Sequence, residues 1–270
     1  MLKIISNTIA LTFLEVVQSR VYQVLLVMAL LSPLFAYFLS SLFLVEIGKV
    51  YMDGVLVAVH FLSVIFTLFI VSSILVRDIS HKVCYLLVVQ PATRESYLMG
   101  RFFGFLVTLL ILITVVGLVS VGAGFLIFLD EIQLYVAGYT WSNISLLIFL
   151  HSFQYVSLLG FIFFIVSWAT GLAEVMFFSM LGLIISWVLP QVLVLLNPEF
   201  GGEQENAVLF EFLRTVYQIL PHLNGSDISL VLTHGASLSF SAISLYILEH
   251  LGYAGVFLGL AVWVFNRRDL

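Results

Sequence analysis

Charge is what this chain has least of. Ten of its 270 residues are Lys or Arg and fifteen are Asp or Glu, together 9%, where about 25% is usual for a soluble domain. The hydrophobic share is 62% against roughly 45–50%, and the mean hydropathy is +1.19. A soluble monomer could not hide that much apolar surface. A soluble enzyme, a nucleic-acid-binding domain and a disordered chain are excluded. Cysteine is nearly absent, and the single Cys84 leaves no intramolecular disulfide to hold the fold. No Gly-x-x-x-x-Gly-Lys-Ser/Thr occurs, so the chain carries no P-loop with which to hydrolyse ATP. Strict alternation of apolar and polar residues, the mark of a membrane barrel, is missing too.

What is present is a series of long apolar runs. They predict an all-α integral membrane protein with six spans: Val21–Val45, Gly54–Val76, Phe102–Leu129, Ser142–Trp168, Leu172–Leu196 and Ser241–Phe265. Pro33 and Pro190 fall inside the first and fifth and are expected to bend them. The third span, at 1.5 Å per residue, is roughly 40 Å long and should tilt or protrude. Ahead of them, Ile5, Ile9, Phe13, Val17 and Val21 recur every four residues, with Lys3, Asn7, Glu15 and Gln18 largely on other faces. Residues 1–20 therefore read as an amphipathic interfacial helix, not as a cleavable signal peptide. Residues 197–240 form a long segment on the opposite side. It contains the apolar stretches Ala207–Leu220 and Ile228–Leu238 around Pro221 and Asn224-Gly225-Ser226. A pair of re-entrant or interfacial helices is expected there, and the whole chain reads as one domain.

Basic residues set the orientation. Lys3, Arg20, Arg77, Lys82, Arg94, Arg101, Arg267 and Arg268 fall on the side of the termini, and only Lys49 and Arg214 on the other. The positive-inside bias then puts both termini in the cytoplasm. The cytoplasmic segment 77–101 and the outer segment 197–240 are the two long enough to act outside the bilayer. A short helix around Ser80–Val89 should end near Gln90, because the residue before Pro91 avoids helical angles. Thr93 is placed to cap the next helix. The outcome is an amphipathic piece held by two spans, suited to docking in a groove.

Several residues in this segment are similar to those of the permease subunits of ABC-2 type transporters, most closely the branch associated with maturation of copper-containing enzymes. Pro91 and Arg94 match a Pro-x-x-Arg element. Gly100, Arg101 and Gly104 match a Gly-Lys-x-x-Gly step into the third span, with Arg for Lys. Asp78 stands where the family often has Glu, while Lys82-Val83 replaces the family's Gly-Thr pair. The ending Phe265-Asn266-Arg267-Arg268-Asp269-Leu270 resembles a Phe-x-Arg-Arg-Asp terminus, and Leu220-Pro221 with Asn224 a Leu-Pro-x-x-x-Asn element. The resemblance implies a coupling helix at about Ile79–Val89. Asp78, Ile79, His81, Lys82, Tyr85, Leu86, Pro91 and Arg94 would then meet a separate P-loop ATP-binding subunit. It also implies a second permease copy, a homodimer or a pair with a related permease, in the cytoplasmic membrane of a prokaryote. No cofactor is expected on this chain, with ATP and Mg held by the partner. The alternative is a non-transport anchor of a redox or metalloenzyme-assembly complex. A middle case transmits force to a periplasmic protein through 197–240.

The remaining polar residues carry weaker signals. Gly100-x-x-x-Gly104 and Gly255-x-x-x-Gly259 offer close helix approach, within one subunit or between two. His60 and His151 lie at matched depth in the second and fourth spans, where paired histidines can hold a haem or be hydrogen-bonded in the interior. His151, Gln154 and Tyr155 share a helix face, expected to point into the bundle. His222 and His234 have no metal-ligand spacing. Gly235-Ala236-Ser237-Leu238 lacks the second glycine of the intramembrane serine protease Gly-x-Ser-Gly. Glu249 and Glu174 fall near opposite interfaces, leaving no charge expected at the midplane, which fits a machine driven from outside the bilayer.

Overall fold

The computed structural model describes residues 2–43, 47–80, 93–127, 141–196, 207–219 and 239–267. They form eight helices and, among the described residues, no strand. The order is α1 (Leu2–Gln18), α2 (Arg20–Ser40), α3 (Ile47–Ser80), α4 (Arg94–Ile127), α5 (Trp141–Trp168), α6 (Leu172–Leu196), α7 (Ala207–Ile219) and α8 (Phe240–Arg267). Helices α2, α3, α4, α5, α6 and α8 are long and apolar enough to cross a membrane. This is a multi-pass, all-α membrane protein. The fifth span has the bounds expected from sequence, while α3 and α4 are each 34 residues. At roughly 50 Å they exceed a hydrocarbon core of about 30 Å. The excess over the expected spans lies at both ends of α3 and at the start of α4, where the helix continues through Gly100.

Helix α5 is the centre. Its most apolar stretch is 72% buried, against 28% for α2 and α8 and 22% for α6. It is apolar all round, as a helix surrounded by others must be. It packs most extensively on α8, where a Cβ on Gly160 would come within 2.9 Å of the Ala254 backbone. On the other flank, α2 and α3 are fastened to α4 by buried hydroxyls. The Tyr22 hydroxyl donates to the Thr108 carbonyl at 3.1 Å and the Tyr51 hydroxyl to the Ser120 carbonyl at 2.7 Å, while Ser32 and Ser120 share a 2.8 Å bond. Such bonds give apolar helices a fixed register where lipid offers no hydrophobic drive to association.

Two details differ from the sequence reading, and a third concerns glycine pairs it left open. Within α3, residues Phe66–Val71 wind as a π-helix, a local over-count of one residue that rotates everything after it. The buried stripe of α1 is Thr8, Thr12 and Val16, not the more apolar Ile5, Ile9, Phe13 and Val17, which are only half-buried. Small side chains win because α1 lies against glycines. A Cβ on Gly100 would sit 2.6 Å from the Thr8 Cβ, and one on Gly104 2.5 Å from the Thr12 Cβ. The Gly100/Gly104 pair therefore packs within the chain. Gly255 and Gly259 do not, since nothing described lies within 4 Å of a Cβ built there.

Candidate functional site

Helices α3 and α4 enter and leave the 81–92 segment, and the residues at those two stems form the most polar cluster inside the described bundle. At the α4 stem, Thr93 caps the helix as expected. Its hydroxyl accepts from the Ser96 amide at 3.2 Å and shares a 2.8 Å bond with the Ser96 hydroxyl. Capping fixes where α4 begins and so places Arg94, Tyr97 and Arg101 on successive turns.

Arg101 is the hub. Its guanidinium is 3% exposed and contacts three elements at once. One terminal nitrogen lies 2.5 Å from an Asp78 carboxylate oxygen. The other reaches Glu15 at 2.5 Å and the Thr12 hydroxyl at 3.2 Å, and Nε donates to the Tyr97 hydroxyl at 3.3 Å. Tyr97 in turn donates to Asp78 at 2.5 Å. Glu15 also pairs with Arg77, whose side chain is half exposed. Two cations face two anions, so the cluster is neutral. Neutrality and near-complete hydrogen bonding are what allow a carboxylate and a guanidinium to be buried together. Its position helps, because Asp78 is two residues from the end of α3 and Arg101 two turns inside α4.

A second tie joins the same stem to the far end of the chain. The Arg94 guanidinium approaches the Phe265 and Asn266 carbonyls at 3.5 Å, at the C-terminal end of α8. The Asn266 amide donates to Glu95 at 3.1 Å. A cation on the last carbonyls of a helix is favoured by the helix dipole. Ile79 turns inward, lining a small void with Leu75, Tyr97 and Phe265. Of the expected coupling residues, Asp78, Ile79 and Arg94 are thus brought together around the two stems. His81, Lys82, Tyr85, Leu86 and Pro91 lie outside the described residues, as do His222, His234 and the Gly235–Leu238 tetrapeptide. Sequence reading missed Glu15, Tyr97 and Arg101 as members of one cluster. The spacing of Tyr97 and Arg101, four apart on one helix face, was the signal available.

The interior polar residues form a separate group about 27 Å along α3 from Asp78, counting 1.5 Å per residue from His60. His60 Nδ1 is bonded to the Tyr155 hydroxyl at 2.7 Å, and its ring lies 4.5 Å from that of Trp187. His151 Nδ1 is bonded to the Leu147 carbonyl of its own helix at 2.9 Å. Gln154 and Tyr155 are buried and point into the bundle as expected, joined by His250, which meets Ser157 at 3.3 Å and the Tyr246 ring at 4.4 Å. Both expected histidines thus have one nitrogen committed to protein. Among the described residues no group of three or more His, Cys, Asp or Glu is placed to hold a metal ion.

The chemistry of the two groups differs. The first binds elements together by directed ionic bonds. The second is a neutral ring-packed interior. No protein-family model and no curated protein matches the chain.

Proposed function

We propose that this chain is the membrane-spanning permease subunit of an ABC-2 type transporter. ATP hydrolysis by a separate P-loop subunit would be coupled through a helix at about Ile79–Val89 to export or conformational work. Two copies, or one copy and a related permease, would complete the unit in a prokaryotic cytoplasmic membrane, with both termini inside.

The observation that carries this reading is the bracing of both stems of that segment. A loop that receives a push transmits it only if its ends are fixed to bodies that move together. Asp78 fixes the α3 stem to Arg101 of α4 and, through Glu15, to α1. Arg94 fixes the α4 stem to the end of α8. A displacement of 81–92 would then move α1, the end of α3, the start of α4 and the end of α8 as one block. The π-helical turn at Phe66–Val71 is a natural place for α3 to yield above that block, since such turns interrupt the regular ladder of helix bonds.

The test is purification from native membranes in mild detergent, followed by mass spectrometry of what accompanies the chain. A stoichiometric P-loop ATPase is the expected result, and disrupting Asp78, Pro91 and Arg94 together should then uncouple hydrolysis from the permease. An additional periplasmic protein would favour force transmission. Reproducible recovery with other partners and no ATPase would overturn the permease reading in favour of a membrane anchor.

A further inference from the structure

Helix α7 is too short to span, yet its C-terminal end is fixed to the middle of a helix that does. The Tyr253 hydroxyl of α8 donates to the Gln218 carbonyl at 2.7 Å, and α7 packs against α6. The depth of that bond can be counted. On α8 the Arg267 guanidinium lies 4.1 Å over the Trp263 ring, and Trp263 is half exposed. Such an aromatic residue beside a cation marks the headgroup level. Tyr253 is ten positions further in, roughly 15 Å, which is half of a hydrocarbon core about 30 Å thick. From Gln218 back to Ala207 is roughly 16 Å, the distance that remains to the opposite boundary. Helix α7 therefore descends from the side opposite the termini and stops at mid-membrane.

Its surface has three faces. Phe210 and Leu213 are half-buried against the bundle, while Val208, Phe212 and Ile219 are apolar and exposed. Glu211, Arg214 and Gln218, spaced three and four apart, form an exposed polar stripe. The first face meets protein and the second suits lipid. The third suits neither. We infer that this stripe lines a water-filled cleft, open on the side opposite the termini and ending at Tyr253.

Lipid is excluded as the neighbour of the stripe because Glu211 and Arg214 carry full charges at hydrocarbon depth. The form of their pairing points to water rather than to a protein cover. They stand 3.6 Å apart with side chains 66% and 56% exposed, whereas the dry pair of Asp78 and Arg101 is drawn to 2.5 Å. The looser pair keeps its hydration. The end of the helix needs water as well. A helix leaves its last four carbonyls without intrahelical partners, lipid tails cannot donate to them, and Tyr253 supplies one donor. On α8, Glu249 lies one turn nearer the mouth, within electrostatic reach of Tyr253 and only half-buried. The polar surface thus continues onto the neighbouring span. This inference rests on the order and depth of the helices and stands whatever drives the protein.

The experiment places single cysteines in the full chain carrying Cys84→Ser, in sealed membrane vesicles of known sidedness. It measures their rates of reaction with a membrane-impermeant cationic thiosulfonate. Only a thiol that can ionise in water reacts. Gln218→Cys is expected to react from the side opposite the termini, within about tenfold of the rate of Glu211→Cys. It should be at least about a hundredfold faster than Ile219→Cys, its neighbour at the same depth on the lipid-facing side. Where Gln218→Cys is not recovered folded, Arg214→Cys against Phe212→Cys makes the same comparison nearer the mouth. Gln218→Cys as slow as Ile219→Cys would overturn the proposal, because the stripe is then covered by protein or lipid. Equal and fast reaction of every variant, Ile219→Cys included, would also overturn it, because α7 then lies outside the bilayer.

Discussion

The two polar regions of this bundle solve one problem in opposite ways. Both place hydrogen-bonding groups among apolar helices. The cluster of Glu15, Arg77, Asp78, Tyr97 and Arg101 keeps full charges and balances them. The group around His60, Tyr155, Gln154 and Trp187 is joined by hydrogen bonds between uncharged side chains and by ring contacts. The difference follows depth. Near the helix ends, Arg77 still reaches solvent and ionic side chains can be paired at tolerable cost. In the interior an ion would be far more expensive. Directed ionic bonds tie α1, α3 and α4 into one body, while in the second region α3, α5, α6 and α8 meet through neutral bonds and ring contacts.

Substitutions can break that contrast. The largest effect is expected from Arg101→Met, which strands the buried Asp78 carboxylate, while Glu15 keeps Arg77, and should cost about 3–5 kcal/mol. The Asp78→Leu/Arg101→Met pair should recover much of it, because removing both charges leaves none uncompensated. Denaturant unfolding in detergent reads both, and additive losses would show that the two residues do not act as a pair. Next comes Gly104→Leu, which drives a side chain into Thr12 and should cost about 1–3 kcal/mol. Thr12→Ala should relieve only part of that, since it also removes a partner of Arg101.

In the neutral region Tyr155→Phe removes one hydrogen bond from His60, for about 1 kcal/mol. A loss as large as that of Arg101→Met would erase the distinction drawn between the regions. The smallest effect is expected from Arg77→Gln. Its half-exposed pair with Glu15 should contribute about 0–1 kcal/mol and respond to salt, which a titration with sodium chloride would reveal.

The spans were legible because hydrophobic length is a one-dimensional property. Leu172–Leu196 could be read residue for residue, and the inward direction of Gln154 and Tyr155 followed from helical spacing. Arg101 was harder. It counts as one more basic residue on the cytoplasmic side, and nothing local marks it as buried. Its partners Glu15 and Thr12 are 86 and 89 positions away, a separation that no periodicity reports. The Thr8/Thr12 face of α1 was hidden for a related reason. Hydrophobicity predicts which face seeks apolar surroundings, whereas the fit to Gly100 and Gly104 was decided by size. The π turn in α3 left no trace in the hydrophobic pattern of that span.

We propose that the stems anchored by Asp78 and Arg94 present the segment between them to an ATP-binding partner. Cys84, the single cysteine of the chain, lies in that segment and is a built-in reporter. The most direct measurement is its rate of reaction with a membrane-impermeant maleimide in membranes of known sidedness, before and after peripheral proteins are stripped. The account predicts reaction only from the side that holds the termini, slow while the partner is bound and faster by about tenfold once it is removed, as occlusion by a bound subunit requires. Equal rates before and after stripping, or reaction from the opposite side, would contradict it.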